Sequence, residues 1–220
     1  MPAGETRMAH EKHPQAIRWM HWLNFPILSV MIWSGLRIYW SYDVSRVPWL
    51  RFGEETFFPE GFYSALNLDR KLARGMAFHF SFGWLFVING LLYLTYLAAS
   101  REWRHLIPSR EGLRTVKQQL LHEIGRAEAP LKGQYNVMQQ IAYSMVIVLG
   151  VLAVATGFAI YKPTQLAWLT NLFGGYQSAR LIHFIVTMSF LGFFIVHIVQ
   201  VVRAGFSNFW SMITGYELDS

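Results

Sequence analysis

Four long apolar runs, divided by polar and charged stretches, set the pattern of this chain. They cover about residues 17–39, 72–99, 136–161 and 180–203. As α-helices rising about 1.5 Å per residue, all four are long enough to cross a hydrocarbon layer about 30 Å thick. The first run, IRWMHWLNFPILSVMIWSGLRIY, contains Pro26, which a membrane helix tolerates when neighbours re-satisfy the freed carbonyl. It also contains Arg37, expected to extend toward the nearer interface. The stretches between the runs have their own pattern. Within the mixed-charge loop 41–71, FFPEGFYSALNL predicts a short amphipathic surface helix opened by Pro59. In residues 101–135, Leu113, Val116, Leu120, Leu121 and Ile124 recur at helical spacing, predicting a helix lying on the headgroups. Residues 164–177, with Trp168 as an anchor, and 206–216 predict further interfacial turns. The expectation is an all-α membrane protein. It is a four-transmembrane-helix bundle with additional interfacial helices, forming a single domain over 1–220.

Composition supports a bilayer environment. Hydrophobic residues make up 53% of the chain and charged residues only 15%, too apolar a balance for an ordinary soluble domain. The net charge of +6 raises the question of nucleic acid. The basic residues, however, sit in loops flanking apolar runs, where membrane-surface attraction accounts for them. Eleven Lys and Arg fall on one side: Arg7, Lys12, Arg18, seven in 101–135, and Arg203. Seven fall on the other: Arg46, Arg51, Arg70, Lys71, Arg74, Lys162 and Arg180. The richer side belongs in the cytoplasm, which places both termini there. Residues 1–16 are polar with no apolar region of signal-peptide type, so the first run is expected to serve as an uncleaved anchor. With no cysteine, disulfides, thiolate-held iron–sulfur clusters and covalently attached c-type haem are excluded.

Four histidines lie inside these runs: His21, His79, His183 and His197. Ionisable residues at such depth are rare and point to function. His183 and His197 are fourteen residues apart on one run. On a helix that is about 21 Å along the axis and four turns less about 40°, so both rings leave nearly the same face. Taking the direction of each run into account, His79 and His183 fall near the outer face, His21 and His197 near the inner. Each level joins two different helices. Facing imidazoles are the axial ligands of a low-spin b-type haem, and two levels make room for two such haems. Arg74 and Arg180 flank the outer pair, and Arg18 and Arg203 the inner pair, as candidate partners for haem propionates. A single membrane histidine is as well explained by an interhelical hydrogen bond. Four in two levels are not. Zinc would be short of ligands, and the runs have no Asp or Glu to relay protons. His10, His13, His105 and His122 lie outside the runs and are read as surface residues.

The pattern resembles the bacterial transmembrane di-haem cytochrome b subunits of formate dehydrogenase, Ni,Fe-hydrogenase and thiosulfate reductase. The matching elements span about residues 13 to 216: R-W-M-H-W at Arg18–Trp22, His79, Y-N-x-x-Q at Tyr135–Gln139, and H-x13-H at His183 and His197. The resemblance implies a multi-pass protein of the bacterial inner membrane. It implies two non-covalent haem b groups carrying electrons between a quinone, menaquinone or ubiquinone, and a periplasmic partner. That partner is expected to be a molybdopterin oxidoreductase, and the complex can be oligomeric. By the same resemblance, Asn136 and Gln139 contact the quinone beside His197. Two other readings stay open: a stand-alone reductase of an extracellular acceptor, and a non-redox membrane anchor.

Overall fold

The computed structural model describes residues 10–11, 14–41, 60–67, 72–123, 126 and 137–217. Nearly all of these are helical. In chain order the helices are α1 (Gln15–Ser41), α2 (Glu60–Ala65), α3 (Leu72–Ser100), α4 (Trp103–Leu106), α5 (Arg110–Glu123), α6 (Val137–Tyr161), α7 (Ala167–Leu172), α8 (Tyr176–Ala204) and α9 (Phe206–Thr214). The apolar-run reading put no strand in the chain. Two two-residue strands occur nonetheless: β1 (His10–Glu11) pairs antiparallel with β2 (Tyr216–Glu217), tying the ends of the chain together.

Among the described residues, α3, α6 and α8 are long and apolar enough to cross a membrane. Their bounds lie within a few residues of the predicted runs. The 27-residue α1 runs unbroken through Pro26, and at 1.5 Å per residue it is about 40 Å long. It carries Arg18, His21, Asn24 and Arg37, which dilute its apolar character relative to the other three. The surface helix predicted at Phe57–Leu68 is present as α2, with Pro59 just outside the described residues. The helix predicted from Leu113, Val116, Leu120 and Leu121 is present as α5, with Ile124 outside the described residues, and the short α4 precedes it. The two remaining turns are α7, where Trp168 is exposed, and α9.

The chain divides into two compact units, residues 1–92 with 204–220, and residues 93–203. In the first, α1 and α3 meet through small and polar residues, as membrane helices do when lipid is as apolar as their own side chains. Gly75 admits Arg37: a Cβ there would lie 3.5 Å from both Cβ and Cδ of that side chain. Asn89 of α3, only 2% exposed, donates to the Met20 carbonyl (3.2 Å) and to Asn24 Oδ1 (2.8 Å). Trp33 packs edge-on against Phe78, and its Nε1 donates to the Leu66 carbonyl beyond α2.

Arg37 departs from the expectation that it would reach outward along the surface. It is fully buried, its guanidinium 5.0 Å from the Trp33 ring centroid and 3.5 Å from Asn67 Oδ1. The cation is accommodated inside protein rather than along lipid.

In the second unit, polar side chains of α6 hold the interfacial helices in place. Gln140 Nε2 donates to the His105 carbonyl and Ser144 Oγ to that of Leu106, which fastens α4. Thr170 of α7 donates to the Ala159 carbonyl of α6 (3.0 Å). Gly174 and Gly175, with φ of 80° and 95°, then turn the chain into α8. Those conformations are ones an L side chain rarely adopts. The turn sets where Tyr176, and therefore His183 two turns later, enters the unit.

Candidate functional site

Each of the two histidines assigned to the outer level rests on a neighbouring helix in the same way. His79 of α3 lies against α1, its Nδ1 3.1 Å from Ser34 Oγ. The next residue, Gly35, meets the adjacent ring atom, and a Cβ there would be 3.2 Å from His79 Cε1. His183 of α8 lies against α6, its Nδ1 2.9 Å from Thr156 Oγ1. Again the next residue is glycine, and a Cβ on Gly157 would sit 3.5 Å from His183 Cε1. Ser34 and Thr156 are both 0% exposed, so neither hydroxyl has water as an alternative partner. The Nδ1–Cε1 edge of each ring is thus seated on a hydroxyl-glycine step. Sequence reading missed both hydroxyls. The Ser34-Gly35 and Thr156-Gly157 dipeptides are visible, but nothing local marks them as facing a histidine.

His21 stands between two residues that fasten α9 to α1. Arg18 Nη1 donates to the Ile213 carbonyl at 2.5 Å, and Trp22 Nε1 to that of Met212 at 3.0 Å. Both carbonyls belong to the last turn of α9, where backbone acceptors lack intrahelical partners and a cation suits the helix dipole. The chain leaves through Gly215, in the left-handed region (φ 94°), where a Cβ would come within 3.0 Å of Arg18 Cζ. Trp22 also meets the rings of His21 (5.3 Å) and Phe209 (6.1 Å) edge to face. The Asn89 bonds to Met20 and Asn24 bracket the same histidine on its own helix. In α8, His197 is half-buried and its ring stacks on Phe193 one turn earlier, 5.9 Å between centroids and 10° between planes.

The other sequence-predicted site residues are placed as follows. Arg74 is exposed on the first turn of α3. Arg180, half-buried, bonds Gln177 Oε1 (3.2 Å) and lies over the Tyr176 ring (5.8 Å), both on its own helix. Arg203 is exposed in the last turn of α8. Gln139 is exposed on the first turn of α6, whereas Asn136 lies outside the described residues. His105 is exposed, as read from sequence.

The profile of the prokaryotic cytochrome b561 family matches residues 12–215. The chain belongs to that family. It is accordingly an integral protein of the bacterial inner membrane, a cytochrome b of the electron-transfer kind, and the resemblance drawn from R-W-M-H-W and H-x13-H holds at that level. A candidate protein-methionine-sulfoxide reductase subunit of Azospira oryzae is 31% identical over 191 residues, 86% of this chain and 89% of the relative.

The residues fit the b-type haem that the family binds. Imidazole is the common axial donor. Gly35 leaves the His79 ring edge unobstructed where a Cβ would press on it at 3.2 Å, and Gly157 leaves the His183 ring edge free of a side chain. Arg18 Nε is buried and has no hydrogen-bond partner among the described residues, an arrangement suited to a carboxylate.

Proposed function

We propose that the chain is a di-haem, quinone-linked electron-transfer subunit that crosses the inner membrane four times, as one domain with both termini in the cytoplasm. The observation that carries this reading is α8, one unbroken 29-residue helix bearing both His183 and His197. A fourteen-residue separation puts their donor atoms at two depths about 21 Å apart on nearly one face. In the proposal, His183 is answered by His79 near the outer face and His197 by His21 near the inner face.

Haem b, when bound, supplies a one-electron iron couple. The work of the chain is to hold and insulate it. His79 and His183 are seated on hydroxyl-glycine steps, so their rings would be held in a set orientation toward a haem iron. His21 is steadied by the Arg18–Trp22 fastening of α9, and the Nε of Arg18 is available to an inner propionate. Arg203 adds positive charge near the inner level, and Arg74 and Arg180 do so near the outer. Exclusion of water by an apolar surround would hold the potential to what ligands and hydrogen bonds set.

The quinone is assigned to the inner level, beside His197, with the amides of Asn136 and Gln139 as donors to its carbonyl oxygens. Exposure of Gln139 on the first turn of α6 supports this, since a quinone must arrive from lipid and exchange protons with water. The electron partner is a periplasmic oxidoreductase subunit, of the molybdopterin class by the family resemblance. That a relative is named as a reductase subunit supports a partnered protein over a stand-alone reductase.

Adding quinol to the purified protein is expected to produce reduced haem b bands. Gln139→Ala should slow that reduction several-fold while haem content stays at the wild-type value. A stably folded, colourless protein overturns the haem assignment, and unaltered kinetics in Gln139→Ala moves the quinone elsewhere.

A further inference from the structure

We infer that Ser34 and Thr156 are positioning residues. Each accepts a hydrogen bond from the Nδ1–H of its histidine, which fixes the tautomer, sets the plane of the ring and lowers the potential of the outer haem. The inference rests on the reading that His79 and His183 share that haem.

Thr156 has a single hydroxyl proton and three neighbouring acceptors or donors: the Leu152 carbonyl at 2.6 Å, the Ala153 carbonyl at 3.3 Å and His183 Nδ1 at 2.9 Å. Two bare oxygens 2.6 Å apart repel unless a proton lies between them, so the hydroxyl donates to Leu152 in the familiar back-bond to residue i−4. Its oxygen is then an acceptor toward His183, and the proton in that contact must belong to Nδ1. Ser34 leads to the same result. Its Oγ donates to the Met31 carbonyl (3.2 Å) and lies 3.1 Å from His79 Nδ1. With its one hydroxyl proton engaged by Met31, the Ser34 oxygen is left to accept from Nδ1–H of His79.

Both imidazoles are therefore Nδ1–H tautomers, and the lone pair of each lies on Nε2. That is the nitrogen left to bind iron. Each bond also restrains rotation about the Cβ–Cγ axis, because the hydroxyl and the glycine beside it are fixed by helical backbone. An acceptor on Nδ1–H increases the electron density of the ring and favours the oxidised metal, as outer-shell partners of ligating histidines do. Thr156 and Ser34 thus act through the histidines.

The test is redox titration of the haem-loaded, full-length protein, with electron paramagnetic resonance of the oxidised form, in Ser34→Ala, Thr156→Val and Thr156→Ser. Thr156→Val keeps the shape and removes the acceptor, while Thr156→Ser keeps the hydroxyl. Ser34→Ala and Thr156→Val should each move the same haem component to higher potential and alter its low-spin signal, leaving the other component in place. Thr156→Ser should restore the wild-type values. Haem retention in the two hydroxyl-less variants should weaken by on the order of tenfold. Unmoved potentials and signals in loaded protein overturn the inference, and so does a Thr156→Ser variant as shifted as Thr156→Val. If Thr156→Val fails to fold, Ser34→Ala and Thr156→Ser decide the matter by the same readouts. Shifts in two different components would sink the shared-haem reading while keeping the hydroxyl role. Absence of haem from the wild type would sink the functional reading itself.

Discussion

Asn89 shows how a single polar side chain organises a membrane interior. It is buried on α3, yet both of its bonds reach α1, at the Met20 carbonyl and the Asn24 amide, on either side of His21. Asn89→Leu matches it in size and removes both bonds. Interhelical bonds of this kind are worth about 0.6 kcal/mol on average and reach about 1.7 kcal/mol. The variant should melt at lower temperature in detergent, with the inner haem component lost before the outer; an unchanged melt would contradict this. At this scale the histidines themselves were legible, because their spacing is a property of their own helices. Ser34, Thr156 and Asn89 were not. Their partners lie 27 to 69 residues away, and only the packing of two helices reveals them.

The junction of α9 with the start of α1 explains why R-W-M-H-W reads as a unit. Arg18 and Trp22, one turn apart, take successive carbonyls at the end of α9 and hold His21 between them. Gly215 makes this approach possible in two ways, through its left-handed backbone and its missing side chain. Gly215→Val should cost about 1–3 kcal/mol by backbone strain alone, and more through contact with Arg18. Limited proteolysis should then cut near α9 in the variant and spare the wild type. Gly61→Ala is the control, since nothing lies within 4 Å of a Cβ there. Sequence reading assigned Arg18 to a propionate because it flanks a histidine. The bond to Ile213, 195 residues away, was beyond any local pattern, and it leaves Nε as the atom for that role.

Across the whole molecule, the spans were legible because a bilayer imposes length and apolarity on a helix whatever its neighbours. The bounds of α3, α6 and α8 follow the apolar runs closely for that reason. Helix α1 is the instructive case. Its polar residues have partners in protein: Arg37 with Trp33 and Asn67, Asn24 with Asn89, Ser34 with His79. Those contacts are what would let a less apolar helix serve as the proposed fourth span. If the four histidines make two ligand pairs drawn from three helices, haem content and reduced-minus-oxidised spectra of the four single His→Ala variants will sort them into those pairs. The wild-type chain should carry about two haems. His79→Ala and His183→Ala should lose one and the same spectral component, and His21→Ala and His197→Ala the other. Loss of different components by His79→Ala and His183→Ala, or full haem content in all four variants, would contradict it.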